Sequence, residues 1–439
     1  MQTSCDDLTK VHVSFRETVL IWVKIGFLSF GGPAAQIALM HRMIVDEKKW
    51  IDEDRFLHAL NYCMLLPGPE AQQLATYIGW LLHGVKGGFV AGLFFVLPGA
   101  MAILLLSCLY VFVGHLEITE GIFFGLKAAV LAIVSQALIQ ISARTLKGVF
   151  KPVLAILGFL ALFIFDISFP IVILAAGMIG YIFAIVVKRG TNHDGIPTGE
   201  ELNAQTISNA HRAALVCLLL WGLTVFGLLG FLGYENVFTQ IAVFFSKMAM
   251  VTFGGAYAAL AYVAQTTVQD FKWLTAEEMI EILALAETTP GPLILVTQFV
   301  GFLAAYRKSG LEPSMLAGAF GGFLTTWVTF LPSFLWIFAG APYIEKLRRN
   351  LPLSGAFEAI RAAVVGVIAN LALWFAIHVL FAKQYRITNS LVNMTLPELS
   401  SVHWTLLLLT IFAFFGIFVL RLKILYLLAI CAFLGVILR

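Results

Sequence analysis

Two short glycine- and proline-containing motifs occur twice in this chain, in the same order and at the same separation. FGGP at Phe30–Pro33 returns as FGGA at Phe253–Ala256, and PGP at Pro67–Pro69 returns at Pro290–Pro292. Both pairs are displaced by 223 residues (253 − 30 and 290 − 67), and Trp50/Trp273 and Lys24/Lys247 keep that register. Farther along, after a small deletion and an insertion, Pro98 matches Pro332 and Lys127 matches Arg361 at a displacement of 234. A duplicated apolar sequence with helix breakers and a cation at matched places is the pattern of secondary transporters.

The solvent of such a chain is lipid. Hydrophobic residues make up 60 % of its 439 residues and charged residues 12 %, and the mean hydropathy is +0.92. Soluble domains are closer to half apolar and a quarter charged. Stretches long enough to span a bilayer recur, among them 88–114, 121–145, 211–231, 314–341 and 356–382. The N-terminus is polar and acidic and does not read as a cleaved signal peptide. Five scattered cysteines (Cys5, Cys63, Cys108, Cys217, Cys431) form no CxxC, so neither disulfides nor a metal site is expected. No Walker, HExxH, GxSxG or dinucleotide motif occurs, which argues against an ATPase or other enzyme and for no cofactor. Nothing points to a nucleic-acid partner.

Each half reads as six apolar segments: near 14–45, 55–83, 88–114, 120–145, 150–166 and 169–188, then near 236–268, 276–306, 314–341, 356–382, 403–419 and 421–438. One unpaired segment, 211–231, lies between them. The expected fold is an all-α polytopic membrane protein of about 13 hydrophobic segments. Its parts are an N-terminal repeat (1–188), a polar linker with one connecting helix (189–235) and a C-terminal repeat (236–439). The odd connecting helix turns the second repeat upside down.

Basic residues orient the helices. Lys10, Arg16, Arg42, Lys48, Lys49, Arg55, Lys86, Arg144, Lys147, Lys151, Lys188, Arg189 and Arg212 cluster in alternate loops, whereas 114–120 and 165–169 carry none. The N-terminus and the 42–55 loop are then cytoplasmic and the C-terminus periplasmic. Lys346, Arg348, Arg349, Arg421 and Lys423 agree; Arg307, Lys308, Lys383 and Arg386 count against the scheme. Segments 14–45 and 55–83 are re-entrant on this reading, or else full crossings broken in the middle. The inverted relation holds either way.

The breaks are the candidate site. Gly31, Gly32 and Pro33, and their counterparts Gly254 and Gly255, suit a helix restart whose free N–H groups bind anions. Close helix crossing is the bland alternative. After the break at Gly68, the helix PGPEAQQLATYIGW carries Gln72, Gln73 and Thr76 near its start, all able to donate hydrogen bonds to an oxyanion. After Gly291 the second copy keeps Thr297 and Gln298, with Gln298 matching Thr76. Lys24 and Lys247 each lie six residues before an FGG, within apolar runs. An ionisable group at membrane depth costs about 2.5–3.5 kcal/mol, so it suggests function; snorkelling to the interface is the alternative. Lys127 and Arg361 repeat the argument on another helix. Glu70 and Glu287, beside the two PGP motifs, are candidate proton-coupling groups, although Glu70 also suits a helix start. Asp166, in FDISFP, reads as a turn residue.

The run FGGP, a polar loop with Trp50, LLPGPEAQQLATYIGWLLHG and the LPG of Leu97–Gly99 resembles the chromate ion transporter family. The second copy, FGGA…AETTPGPL, resembles the C-terminal repeat of its long-chain members; Leu293 departs from the pattern by replacing the acidic residue. The resemblance implies efflux of chromate across the bacterial inner membrane, sulfate as a competing oxyanion and two halves of opposite orientation. It leaves sulfate uptake, an uncoupled anion channel and a homodimer open.

Overall fold

The computed structural model describes residues 13–114, 116–187, 204–253, 255–343, 351–388 and 393–439. Gly254, most of the polar linker and the basic residues Lys10, Lys188, Arg189, Lys346, Arg348 and Arg349 lie outside the described residues. The first half contains α1 (Phe15–Leu28), α2 (Gly32–His41), α3 (Glu53–Cys63), α4 (Glu70–Val113), α5 (Glu117–Thr145), α6 (Phe150–Phe163) and α7 (Phe169–Val187). After α8 (Ala204–Leu232) the second half follows with α9 (Val237–Val251), α10 (Ala256–Gln265), α11 (Ala276–Glu287), α12 (Val296–Lys308), α13 (Ser314–Gly340), α14 (Leu351–Leu380), α15 (Trp404–Phe418) and α16 (Ile424–Leu438). Six of the described helices are long and apolar enough to cross a membrane. The chain is an all-α, multi-pass membrane protein.

The duplication extends to backbone detail. A π-helical turn follows α2 at Arg42–Glu47 and α10 at Thr266–Asp270. Each leads to a lysine in the left-handed region, Lys49 and Lys272 (272 − 49 = 223). The Trp50 amide then donates to the Ile44 carbonyl and the Trp273 amide to that of Thr267, both at 2.9 Å. Asp52 caps α3 and Thr275 caps α11, each satisfying an otherwise orphaned helix N–H.

Segments 55–83 and 88–114 join differently from the expected separate spans. Helix α4 continues through His83 and Gly84 with non-helical backbone there, and Gly79 lies against Gly87. It is a tight helical hairpin of two arms, 70–82 and 85–113. Helices α12 and α13 form the matching hairpin, with Gly301 against Gly321 (321 − 87 = 234). Small residues let the arms approach at backbone distance.

The last two helices of each half serve the other half. Helix α16 packs on α5, where a side chain at Gly121 would sit 2.9 Å from Val436 Cα. Helix α7 packs on α14, where one at Gly180 would sit 3.1 Å from Ala356 Cα. Gly180 and Gly435 are counterparts at a displacement of 255, so one crossing is built twice with the halves exchanged. A sequence reading of apolar runs missed one element: an antiparallel hairpin of β1 (Gln384–Thr388) and β2 (Asn393–Pro397) between α14 and α15. Its residues are too polar for an apolar-span search to register.

Candidate functional site

Helix α1 stops one residue before the first FGG motif. The Ser29 hydroxyl donates back to the Ile25 carbonyl at 2.6 Å, and in α9 Thr252 does the same to Met248 at 2.6 Å. The chain then turns through Gly31 (φ +87°) and Gly32 (φ +78°) before α2, and through Gly255 (φ +102°) before α10. A side chain at Gly32 or Gly255 would meet nothing within 4 Å. Both restarts therefore leave room beside the glycine, and their first N–H groups and dipole favour an anion.

The two PGP breaks dock on these stops, each in the opposite half. The Gly68 amide donates to the Thr252 carbonyl at 2.8 Å, and the Gly291 amide donates to the Ser29 carbonyl at 2.8 Å. The four residues are one contact and its counterpart (252 − 29 and 291 − 68 both equal 223), the reciprocal pattern that a local two-fold axis produces. Around Gly291 lie Gly99, whose Cα would be 3.1 Å from a side chain there, and Gln36, whose Nε2 donates to the Gly291 carbonyl at 2.7 Å. Around Gly68 lie Ser333, the counterpart of Gly99 (333 − 99 = 234), and Gln73.

Gln72, Gln73 and Thr76 are fully buried at this junction, but their donors are already engaged. Gln72 Nε2 donates to Thr76 Oγ1 at 3.0 Å, Thr76 Oγ1 to the Gln72 carbonyl at 3.0 Å, and Gln73 Nε2 to the Pro67 carbonyl at 2.7 Å. Buried side-chain atoms without partners include Gln36 Oε1, beside Gly291, Gln73 Oε1 and Ser333 Oγ, beside Gly68, and, on the helices that carry the last two, Gln72 Oε1 and Thr329 Oγ1. Buried polar atoms are normally paired, so the three amide oxygens call for a donor and the two hydroxyls can supply one. The hydroxyls of Thr329 and Ser333 are the donors that this seam offers. Both were missed in the sequence, yet Thr325, Thr329 and Ser333 recur every four residues along apolar α13, a readable polar stripe. Gln298 completes the matching seam: its Nε2 donates to the Ala100 carbonyl at 2.8 Å and Thr326 Oγ1 donates to its Oε1 at 2.8 Å.

Charged candidates fall into three groups. Glu287 is buried, 4 % exposed, and accepts from the Tyr257 hydroxyl at 2.8 Å. Tyr257 is the second residue of α10, so Glu287 is tied to the second FGG break; no sequence pattern singles Tyr257 out. Glu70 has Arg361 of the other half as its neighbouring cation. Lys127 crosses halves the other way, to Glu281 at 3.1 Å and Glu277 at 3.6 Å. Because Leu293 replaces the counterpart of Glu70, the cation at this position found other carboxylates. Lys24 and Lys247, by contrast, lie on exposed stripes of α1 and α9, the first alongside Leu20 and Phe27 and the second alongside Met250. They are not gathered at the Gly68 and Gly291 junctions. Gly254 is outside the described residues. Among the described residues no group of His, Cys, Asp and Glu could hold a metal ion.

Comparison with known proteins agrees with this duplicated architecture. The family model described as "Chromate transporter" matches twice, over residues 16–181 and 239–436. The chromate transport protein of Pseudomonas aeruginosa is 31 % identical over 359 residues, covering 81 % of this chain and 80 % of its own. That of Cupriavidus metallidurans is 28 % identical over 361 residues, 81 % of each. The uncharacterized transporter YwrB of Bacillus subtilis is 32 % identical over 150 residues, 34 % of this chain but 76 % of its own, as expected for a relative of one half. No solved structure matches. With its family signature present once in each half and the breaks of both copies joined by reciprocal contacts, the chain belongs to the chromate transporter family.

Proposed function

We propose that the protein is a secondary transporter that exports chromate, a tetrahedral dianion, across the bacterial inner membrane by alternating access. The observation that carries this reading is the reciprocal pairing of Gly68 with Thr252 and Gly291 with Ser29. It ties a broken helix of each half to a helix stop of the other, the kind of contact that inverted-repeat transporters use around a shared site. The halves, 1–188 and 236–439, then lie in opposite orientation about a connecting segment, 189–235, with the N-terminus cytoplasmic and the C-terminus periplasmic. The dianion is held between the N-termini of α2 and α10 and the hydroxyls of Ser333 and Thr329. Lys24 and Lys247 raise the local anion concentration from their exposed stripes. Glu287, tied to α10 through Tyr257, carries a proton in exchange.

The electrical term sets the direction. A dianion crossing the full potential changes energy by about 4.6 kcal/mol per 100 mV. With the interior negative, export runs downhill without ATP. The test is radiolabelled oxyanion flux in proteoliposomes at a set potential and a set pH gradient. Chromate movement that follows the potential and saturates supports export. Preferential movement of sulfate would make the protein a sulfate permease, and flux that never accumulates an anion against its gradient would make it a channel. If Lys24→Ala, Lys247→Ala and the double variant all export normally, the two lysines have no part in it.

A further inference from the structure

Asp166 lies in the α6–α7 turn, with φ +51°. Its counterpart in the α15–α16 turn is Arg421, φ +52° (421 − 166 = 255). The Asp166 carboxylate reaches across to the second half, where three donors from three elements converge on it. Gln265 Nε2, on the last residue of α10, donates at 2.9 Å; Asn393 Nδ2, on β2, donates at 2.9 Å; and Arg386, on β1, donates through Nη2 at 3.2 Å. Beside them is a cavity of about 70 Å³, with Asn370, Trp374 and His378 on its wall. That is several times the roughly 15 Å³ that one water needs.

The clasp coincides with a difference between the two halves. Ala34 and Ala35 of α2 are exposed, whereas their counterparts Tyr257 and Ala258 of α10 are buried (257 − 34 and 258 − 35 both equal 223). Helix α10 packs on α14, and its far end is the residue held by Asp166. In a transporter built of two equivalent halves, such a difference means that one side is shut while the other is open. The shut side is the one that carries the clasp. Two planar amides and a guanidinium are also the donor set that recognises oxyanions.

We propose that Gln265, Arg386 and Asn393 form an oxyanion-receiving site at the periplasmic mouth, which Asp166 occupies with its own carboxylate while that mouth is closed. The inference rests on the transport reading above and deepens it. A carboxylate carries one charge and a tetrahedral dianion two, so an arriving oxyanion displaces Asp166 and frees α10 to move. The ion pair is partly exposed, 56 % at Arg386 and 27 % at Asp166. Exposed pairs are weak, which suits a latch that opens in every cycle. Arg386, which counts against the charge scheme as a basic residue outside, has a reason to be there.

The test uses the full-length chain with its native cysteines replaced, in two arms that need no transport. In the first, Ala261→Cys, which lines the cavity, is labelled from outside by a membrane-impermeant maleimide. Asp166→Asn should speed labelling several-fold, as should Arg386→Gln, because either one opens the clasp. In the second, radiolabelled chromate binding is read by equilibrium dialysis on the chain without Ala261→Cys. Asp166→Asn should tighten binding, and adding Arg386→Gln should abolish the gain. Unchanged labelling in both variants, or a binding gain that persists without Arg386, overturns the proposal. Absence of chromate flux in the parent protein would instead overturn the transport reading and leave both arms readable.

Discussion

The Gly68 amide donates to the Thr252 carbonyl at 2.8 Å, so the first PGP break is pinned to the helix stop before the second FGG motif. Gly68 takes φ +120°, and a side chain there would lie 2.8 Å from Ser333 Oγ and 2.9 Å from Gln73 Nε2. Gly68→Ala should therefore cost about 1–3 kcal/mol of backbone strain and displace the polar seam as well. Gly32→Ala, at φ +78° but facing open space, should cost only the roughly 1–2 kcal/mol of the left-handed conformation. Unfolding temperature in detergent and oxyanion flux, measured together, check the contrast: Gly68→Ala should lower both more than Gly32→Ala.

Lys127 and Glu281 join α5 of one half to α11 of the other, and their side chains are 15 % and 13 % exposed. Removing one partner strands a charge in a poorly solvated place, at a cost that reaches about 3–5 kcal/mol for a buried pair. Lys127→Met or Glu281→Met alone should destabilise strongly, and the double variant should regain much of the loss. A double-mutant cycle on detergent unfolding checks this, with equal losses for the double and the worse single as the contrary result.

The exchange of terminal helices predicts how damage spreads. A side chain at Gly125 would sit 2.6 Å from the Cys431 carbonyl carbon, so Gly125→Leu must push α16 off α5. The overpacking should cost about 1–3 kcal/mol or more. Because α16 belongs to the second half, limited proteolysis should then cut first near the α15–α16 turn. Cleavage confined to the first half would contradict the swapped packing.

His41, at the end of α2, is hydrogen-bonded to Glu53 and lies 3.4 Å from Asp46. The bond to Glu53, with the nearby carboxylate charges, raises the imidazole pKa above its ordinary value. A raised folded pKa stabilises fully below the unfolded value, near 6.5, and the benefit fades as pH climbs through the folded value. The wild type should therefore unfold at a higher temperature than His41→Gln at pH 6, with the gap closing toward pH 8. A gap that widens with pH would reverse the assignment.

Much of the architecture was legible in the chain because duplication leaves arithmetic behind. The 223-residue register of Phe30, Pro67 and Trp50 carries through to the π-turns, the left-handed lysines and the helix stops, since local backbone geometry follows local sequence. The site was only half legible. Gly68 and Gly291 read as breaks and are breaks, but Gln72, Gln73 and Thr76 read as free donors, whereas Gln72 and Thr76 bond to each other and Gln73 to the Pro67 carbonyl. Their partners are local, four to six residues away, but which donors turn to them and which face a neighbouring helix is set by burial. Asp166 read as a turn residue because its three donors lie at least 99 residues away in the chain.

From sequence alone came the solvent, the number of apolar segments, the two copies and the places where helices must break, because each depends on composition or on nearest neighbours along the chain. Which break meets which, which helix covers which half and which charge finds which carboxylate were decided by packing. Close crossings at small residues, and the need to pair each buried amide, select among arrangements that the linear order leaves equally open.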